Sequence, residues 1–240
     1  MSETGTALLE QLGGILVTAF CIAFFGSYAL ALFTGRRRLL TAARWVNDLL
    51  LPLGGSAQVR WTASSAFHIT GIDQLSPFNR MVVTVLLKPR DLIASLVVNR
   101  LLRRNDLLLV RCELRHQPIW GLEIYRPRTL LSGLARKELQ GEQWTEMPSG
   151  SSDHLIAHGG GKAADLSDAL LAELGDYRDH LWRLAVRRHF PHILVAVDLP
   201  ELNDDEARRF RDLIQRLVAA LEPYSTVMNE SSESLQATDS

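Results

Sequence analysis

The chain has 240 residues, a formal net charge of −1 and 47% hydrophobic residues. This length holds one ordinary domain plus an appendage, and the apolar fraction is too low for a protein built mainly of membrane spans. Two cysteines, Cys21 and Cys112, exclude a disulfide framework and fit a reducing compartment for the main domain.

The net charge conceals an uneven distribution. Residues 36–111 carry a net +8 and residues 112–223 a net −4, while residues 1–35 contain no Lys or Arg. The basic part directly follows "GGILVTAFCIAFFGSYALALFTGRRR", Gly13 to Arg38, which is uncharged until Arg36. A helix over Gly13 to Phe33 would be about 31 Å long, close to the hydrocarbon thickness of a bilayer. A buried soluble helix rarely lacks a polar face over that length. A signal peptide needs a basic n-region, whereas this N-terminus carries Glu3 and Glu10. The segment reads as a retained span over 13–35, after a short external N-terminus, 1–12. Arg36, Arg37, Arg38 and Arg44 follow it, so the positive-inside rule places the remainder in the cytosol. These four arginines are the expected membrane- or RNA-facing basic residues. Gly26, Ser27, Ala29 and Ala31 are the small residues expected to let a partner helix approach.

Residues 36–55 read as a basic amphipathic juxtamembrane segment, with Leu39, Ala43, Val46 and Leu50 at helical spacing. It has two readings: a helix on the headgroup layer, or a continuation of the anchor packed on the domain. A domain follows over 56–223. Residues 57–71 show one strand pattern, with Val59, Trp61, Ala63, Ser65 and Phe67 alternating, and 80–89 shows a second. Residues 90–102 read as a helix. "DLLLVRCELRH" and "IWGLEIYRP" read as a hairpin about Gln117–Pro118, and 128–139 as a short helix. "EQWTEM" and "DHLIAH" are strands flanking the turn "PSGSS". Residues 164–190 read as two helices broken at Gly175, and 192–200 as a central buried strand. Residues 203–223 form the best-defined helix: Asn203 caps it, Glu206 holds the capping-box position, and Ala207, Phe210, Ile214, Leu217, Val218 and Leu221 make its apolar stripe. Residues 224–240 have the composition of a disordered acidic tail. Hairpins mixed with helices argue for an α+β fold with antiparallel strands.

No motif with chemistry emerges. His154 and His158 in "HLIAH" have the spacing of two metal ligands on a helix, but they lack the Glu of a zincin and a third ligand. His189 and His192 lie beside Arg187 and Arg188, a poor cation site, and read as a cluster at a helix end. "GGGK" fails as a phosphate-binding loop, because Ile156 stands where a glycine is needed and Ala163 where a Ser or Thr is needed. Cys112 reads as a core residue. No catalytic residue, metal site or cofactor is assigned.

Two longer stretches, "VTVLLKPRDLIASLVVNRLLRRNDLLLVRCEL" (83–114) and "LSDALLAELGDYRDHLWRLAVRRHFPHILVAVDLPEL" (166–202), resemble in order the cytosolic domain of the calumin family. These are coiled-coil-domain endoplasmic reticulum proteins of the PAT (protein associated with the translocon) complex, and the resemblance covers roughly residues 57–222. It implies a single-pass protein of the endoplasmic reticulum membrane, or of the inner membrane in a bacterium. It also implies a non-enzymatic accessory, or chaperone, role in multi-pass membrane-protein biogenesis. The partners it implies are translocon components and a small hydrophobic Asterix-like protein, in a hetero-oligomer within the lipid bilayer. The family's acidic luminal region and C-terminal coiled coil have no counterpart in these residues. Luminal calcium binding is therefore not implied, and ribosome contact would fall to the basic half. The alternatives are an anionic-lipid-binding or scaffolding module and, from the histidine spacing alone, a membrane-anchored metal-dependent enzyme.

Overall fold

A computed structural model describes residues 3–53, 56–63, 65–72, 78–88, 105–139, 145–147, 156–159 and 163–225. The helix expected over 90–102, the turn at 148–152, residues 160–162 of the glycine loop and residues 226–240 of the tail lie outside these residues.

Helix α1 runs unbroken over Glu3–Leu50 and ends in a 3-10 turn, Leu51–Leu53. Leu and Ala favour the helix, and Gly35 weakens it without breaking it; Pro52, which has no N–H to donate, comes only at its end. The apolar segment 13–35 and the segment 36–50 are thus one helix, and its last four turns lie on the domain.

Strands β1 (Ser56–Ala63) and β2 (Ala66–Ile72) form an antiparallel hairpin that pairs Trp61 with Phe67. This corrects the single strand expected over 57–71. The reversal needs no Gly or Pro, and the Thr62 hydroxyl donates to the Ala66 carbonyl across it at 3.1 Å. β3 (Phe78–Leu86) and β4 (Leu107–Leu114) follow. β5 (Leu122–Tyr125) does not pair with β4, contrary to the expected hairpin. After α2 (Leu130–Leu139) come β6 (Thr145–Met147) and β7 (Ile156–Gly159), which pair antiparallel. α3 (Ala163–Leu174) ends at Gly175, whose φ of +50° suits a residue without a Cβ, and a 3-10 turn spans Gly175–His180. The second helix expected before residue 190 is instead strand β8 (Leu181–Val186). His189 and His192 therefore lie in the turn from β8 to β9 (Ile193–Asp198), not at a helix end. α4 spans Asp204–Leu221, capped by Asn203, whose side chain accepts the Glu206 N–H at 2.8 Å. Beyond the domain limit expected at 223, Tyr224 and Ser225 remain tied in: the Tyr224 carbonyl accepts the Ile119 N–H at 2.9 Å, and Ser225 bridges to Pro118.

The fold is mixed α+β, with one antiparallel nine-stranded sheet in the order β1-β2-β3-β4-β9-β8-β5-β7-β6. β9 stands at its centre, as a continuous apolar run flanked by prolines requires. The β8–β9 hairpin inserts between β4 and β5 and so separates the strands that the sequence places side by side. One face carries the main core, where Phe67, Val85, Leu108 and Val197 meet the end of α1, α3 and α4. The other carries a small cluster, Ala185, Leu194 and Ala196, with α2 against β5 and β8. There, buried Arg183 reaches Glu123 and Glu138 at 2.5 Å each, and Arg187 reaches Glu123 at 2.9 Å and also pairs with Glu138. Burial works against the Arg183 charge, but the two carboxylates outweigh it and hold the guanidinium charged.

Candidate functional site

The surroundings of α1 change abruptly along its length. Its large apolar side chains from Ile15 to Phe33 are open, with Phe20 70% and Phe25 66% exposed, whereas Leu39, Ala42, Trp45, Val46, Leu49 and Leu50 are buried against the domain. Gly13–Leu53 is the one stretch among the described residues long and apolar enough to cross a membrane. Its Ser and Thr hydroxyls bond back to their own helix: Thr18 to Gly14 O at 2.8 Å, Ser27 to Phe24 O at 2.8 Å and Thr34 to Leu30 O at 2.9 Å. Such self-satisfied hydroxyls need no water.

The four small residues do not share one face. At about 100° per residue, Gly26 and Ala29 lie together, and Ser27 lies with position 31 on another side. A Cβ at Gly26 would meet nothing within 4 Å, so that face offers the closest approach. The basic collar divides as well. Arg36, Arg37 and Arg44 are exposed, with Arg37 stacked over the Phe33 ring at 4.7 Å. Arg38 turns to the domain and donates to Asp106 at 2.9 Å.

Asp106 anchors the end of the sheet nearest the exposed half of α1. It is buried just before β4 and also accepts the Lys88 backbone N–H at 2.8 Å, while its own carbonyl accepts the Leu199 N–H at 2.8 Å. Asp198, at the end of β9, sits one strand across: Leu107 pairs with Asp198. Asp198 Oδ1 accepts Trp182 Nε1–H at 2.7 Å and Asn105 Nδ2–H at 2.9 Å, and its other oxygen lies 3.3 Å from His180 Nδ1. On the α4 side Trp45 Nε1–H donates to Asn203 O at 2.9 Å, its ring meets Phe210, and Phe210 meets Tyr177. The Tyr177 hydroxyl donates to Glu206, so Glu206 serves Tyr177 in the place of the expected capping-box bond. Burial, then the Glu206 carboxylate, push the Tyr177 pKa well up and keep the phenol protonated.

Arg38, Asp106, Asp198, His180, Tyr177 and Glu206 are among the side chains that line a polar cleft of about 740 Å³ between α1, the sheet end and the start of α4. Arg38, Lys88 and Arg209 supply positive charge, and exposed Asp176 and Glu201 stand at its rim beside the paired carboxylates. The sequence reading missed this cleft. Its one sequence signal is an Asp at each boundary of two apolar runs, "NDLLLV" and "ILVAVD", which antiparallel pairing brings to one end.

The residues tested for chemistry lie elsewhere. His158 belongs to strand β7 and not to a helix, and His154 lies outside the described residues. Among the described residues, no three His, Cys, Asp or Glu side chains are placed to share a metal ion. Cys112 is buried in the core, and burial pushes its thiol pKa far up, away from the reactive thiolate. No family model matches this chain, and no curated protein matches it in sequence.

Proposed function

We propose that this is a single-span membrane protein with its N-terminus across the bilayer and its α+β domain in the cytosol. In this reading it acts as a non-enzymatic accessory factor in the biogenesis of multi-pass membrane proteins. The observation that carries the reading is the switch along one unbroken helix from open apolar side chains to side chains buried in a domain. A soluble protein would not leave so large an apolar surface open. A tether would need a flexible joint, whereas α1 continues into the core and holds the domain at a set height and rotation under its span. Trp61, half exposed near the hairpin tip, fits an interfacial position. Ser65 in that tip accepts the Leu87 N–H at 2.8 Å, at the Arg38 end of the sheet. The resemblance to the calumin family supports translocon components and a small hydrophobic membrane protein as the partners, with the Gly26–Ala29 face as the place of helix contact.

Alkaline carbonate extraction and protease protection test the topology: the chain should stay in the pellet with its domain accessible from the cytosolic side. In-cell crosslinking from position 26 should trap other membrane proteins, translocon subunits among them. Release by carbonate would end the membrane reading, and crosslinks to none of those partners would end the biogenesis reading. Exposed Arg36, Arg37 and Arg44 favour a subsidiary contact with anionic headgroups, which rising salt should weaken.

A further inference from the structure

The cleft beside Arg38 has a position and a mixture of charges that the anchoring role alone does not require. Arg38 follows Phe33 by five residues, about 7.5 Å of helix rise, so the cleft lies at headgroup depth if the span ends near Phe33. The path of the chain agrees. From Arg38 to Leu53, α1 and its final turn descend about 22 Å, and the eight residues of β1 can climb about 26 Å back to the same end. The cleft volume of about 740 Å³ is within the range of small-ligand sites.

Three carboxylates in the cleft already have donors: Asp106 from Arg38 and the Lys88 backbone, Asp198 from Trp182, Asn105 and His180, and Glu206 from Tyr177. Asp176 and Glu201 at the rim remain open to solvent, Glu201 with a single long contact from Asn203 at 3.2 Å. Arg38 spends one terminal nitrogen on Asp106, while its side chain stays 44% exposed and a guanidinium carries five N–H donors. A purely anionic ligand would meet the rim carboxylates, and a bare cation would meet Arg38 and Lys88. A ligand carrying both charges satisfies both sides.

We propose that this cleft binds a zwitterionic phospholipid headgroup that carries a phosphate and a primary ammonium, with the phosphate against Arg38 and Lys88 and the ammonium against Asp176 and Glu201. The ammonium must be primary, because a trimethylated nitrogen has no N–H to give the carboxylates and forgoes the charge-assisted bonds. The lipid source rests on the membrane reading above; the headgroup chemistry does not.

The test uses the full chain in a non-ionic detergent, titrated with glycerophosphoethanolamine, glycerophosphocholine and glycerol phosphate. The ethanolamine compound should bind about tenfold more tightly than the choline compound, the equivalent of one charge-assisted hydrogen bond. The double variant Asp176→Asn with Glu201→Gln changes two exposed side chains, so the fold should survive, and it should abolish that preference. Equal affinities for the three compounds, or a preference untouched by the double variant, would overturn the proposal. Phosphatidylethanolamine should also be enriched among the lipids that purify with the wild-type chain and not with the variant. Absence of that enrichment would overturn the lipid source. Because the titration needs no bilayer, it decides the headgroup chemistry even if carbonate releases the chain from membranes.

Discussion

Residues 15–33 and residues 39–53 lie on one helical rod but solve different problems. The first stretch keeps Phe20, Phe24, Phe25 and Leu30 outward on several sides, so its apolar surface has no seam. The second places Leu39, Ala42, Trp45, Val46, Leu49 and Leu50 on one side and leaves Arg44 and Asp48 on the other. An all-round apolar surface suits a medium that is apolar everywhere, whereas a one-sided stripe suits a single packed partner with water opposite. Arg38 marks the border, where the first polar anchor meets the domain. Pattern, more than hydrophobicity, separates the all-round apolar half of α1 from the half that packs in the core, even without a break in the backbone.

The largest expected effect comes from breaking the docked half. Trp45→Ala removes a buried ring, its contact with Phe210 and its hydrogen bond to Asn203. It should cost about 3–5 kcal/mol in urea unfolding of the full chain in detergent. A loss below about 1 kcal/mol would mean that α1 is not part of the core. Next comes the border. Asp106→Asn keeps the volume but sets an amide or a neutral oxygen against Arg38 and Lys88 N–H, and it should cost about 1–3 kcal/mol. Arg38→Gln should cost less, about 1 kcal/mol or below, because its exposed side chain can return to water. If the two substitutions were equal, the pair would matter as a surface contact and Asp106 would not be organising the sheet end.

How far the sequence discloses this depends on which force dominates locally. α4 is legible because its cap and apolar stripe agree with each other, and β9 because a proline-bounded apolar run has few other homes. β8 is not legible. Leu181, Leu184 and Ala185 imitate helical spacing, since a bulge between Leu181 and Arg183 breaks the strand's alternation, and Arg183 places a charge where a buried strand is expected to be apolar. The supposed β4–β5 hairpin fails for a topological reason: Gln117–Pro118 can turn the chain, but the β8–β9 hairpin takes the place beside β4. The cleft escapes notice for the same reason. Arg38, Asp106, Asp198 and Glu206 lie far apart in the chain, and only sheet pairing and helix docking bring them together.

A change of pH should act on the domain and spare the apolar half of α1, which has no Asp, Glu, His, Lys or Arg between Gly13 and Gly35. His192 is buried in the β8–β9 turn, and its Nδ1 accepts the Leu114 N–H at 2.9 Å. Burial lowers its pKa, neighbouring His189 adds to this, and Glu113 opposes it. Protonation at Nδ1 would also leave the Leu114 N–H without its acceptor. A folded pKa below the unfolded value means that the unfolded chain binds the proton first. The His192 contribution should therefore be full above about pH 6.5 and be lost as the pH falls from there through the folded value. The urea midpoint should drop between pH 7.5 and 5.5 in the native chain and drop less in His192→Asn. Equal slopes in both would show that another group carries the acid sensitivity.

The smallest expected effect is the most direct probe of the contrast along α1. Phe25→Ala removes a large ring, as Trp45→Ala does, but Phe25 is 66% exposed and its ring meets that of Phe24 within its own helix. No core contact is lost, so the urea midpoint of the domain should move by no more than about 0.5 kcal/mol. In the membrane reading proposed above this ring faces lipid, and a denaturant scan of the domain does not report that environment. The two substitutions therefore form a matched pair: one aromatic on each half of the same rod, one measurement. A shift from Phe25→Ala comparable with that from Trp45→Ala would mean that the exposed turns fold back on the domain, and α1 would then have to be read as a core helix throughout its length.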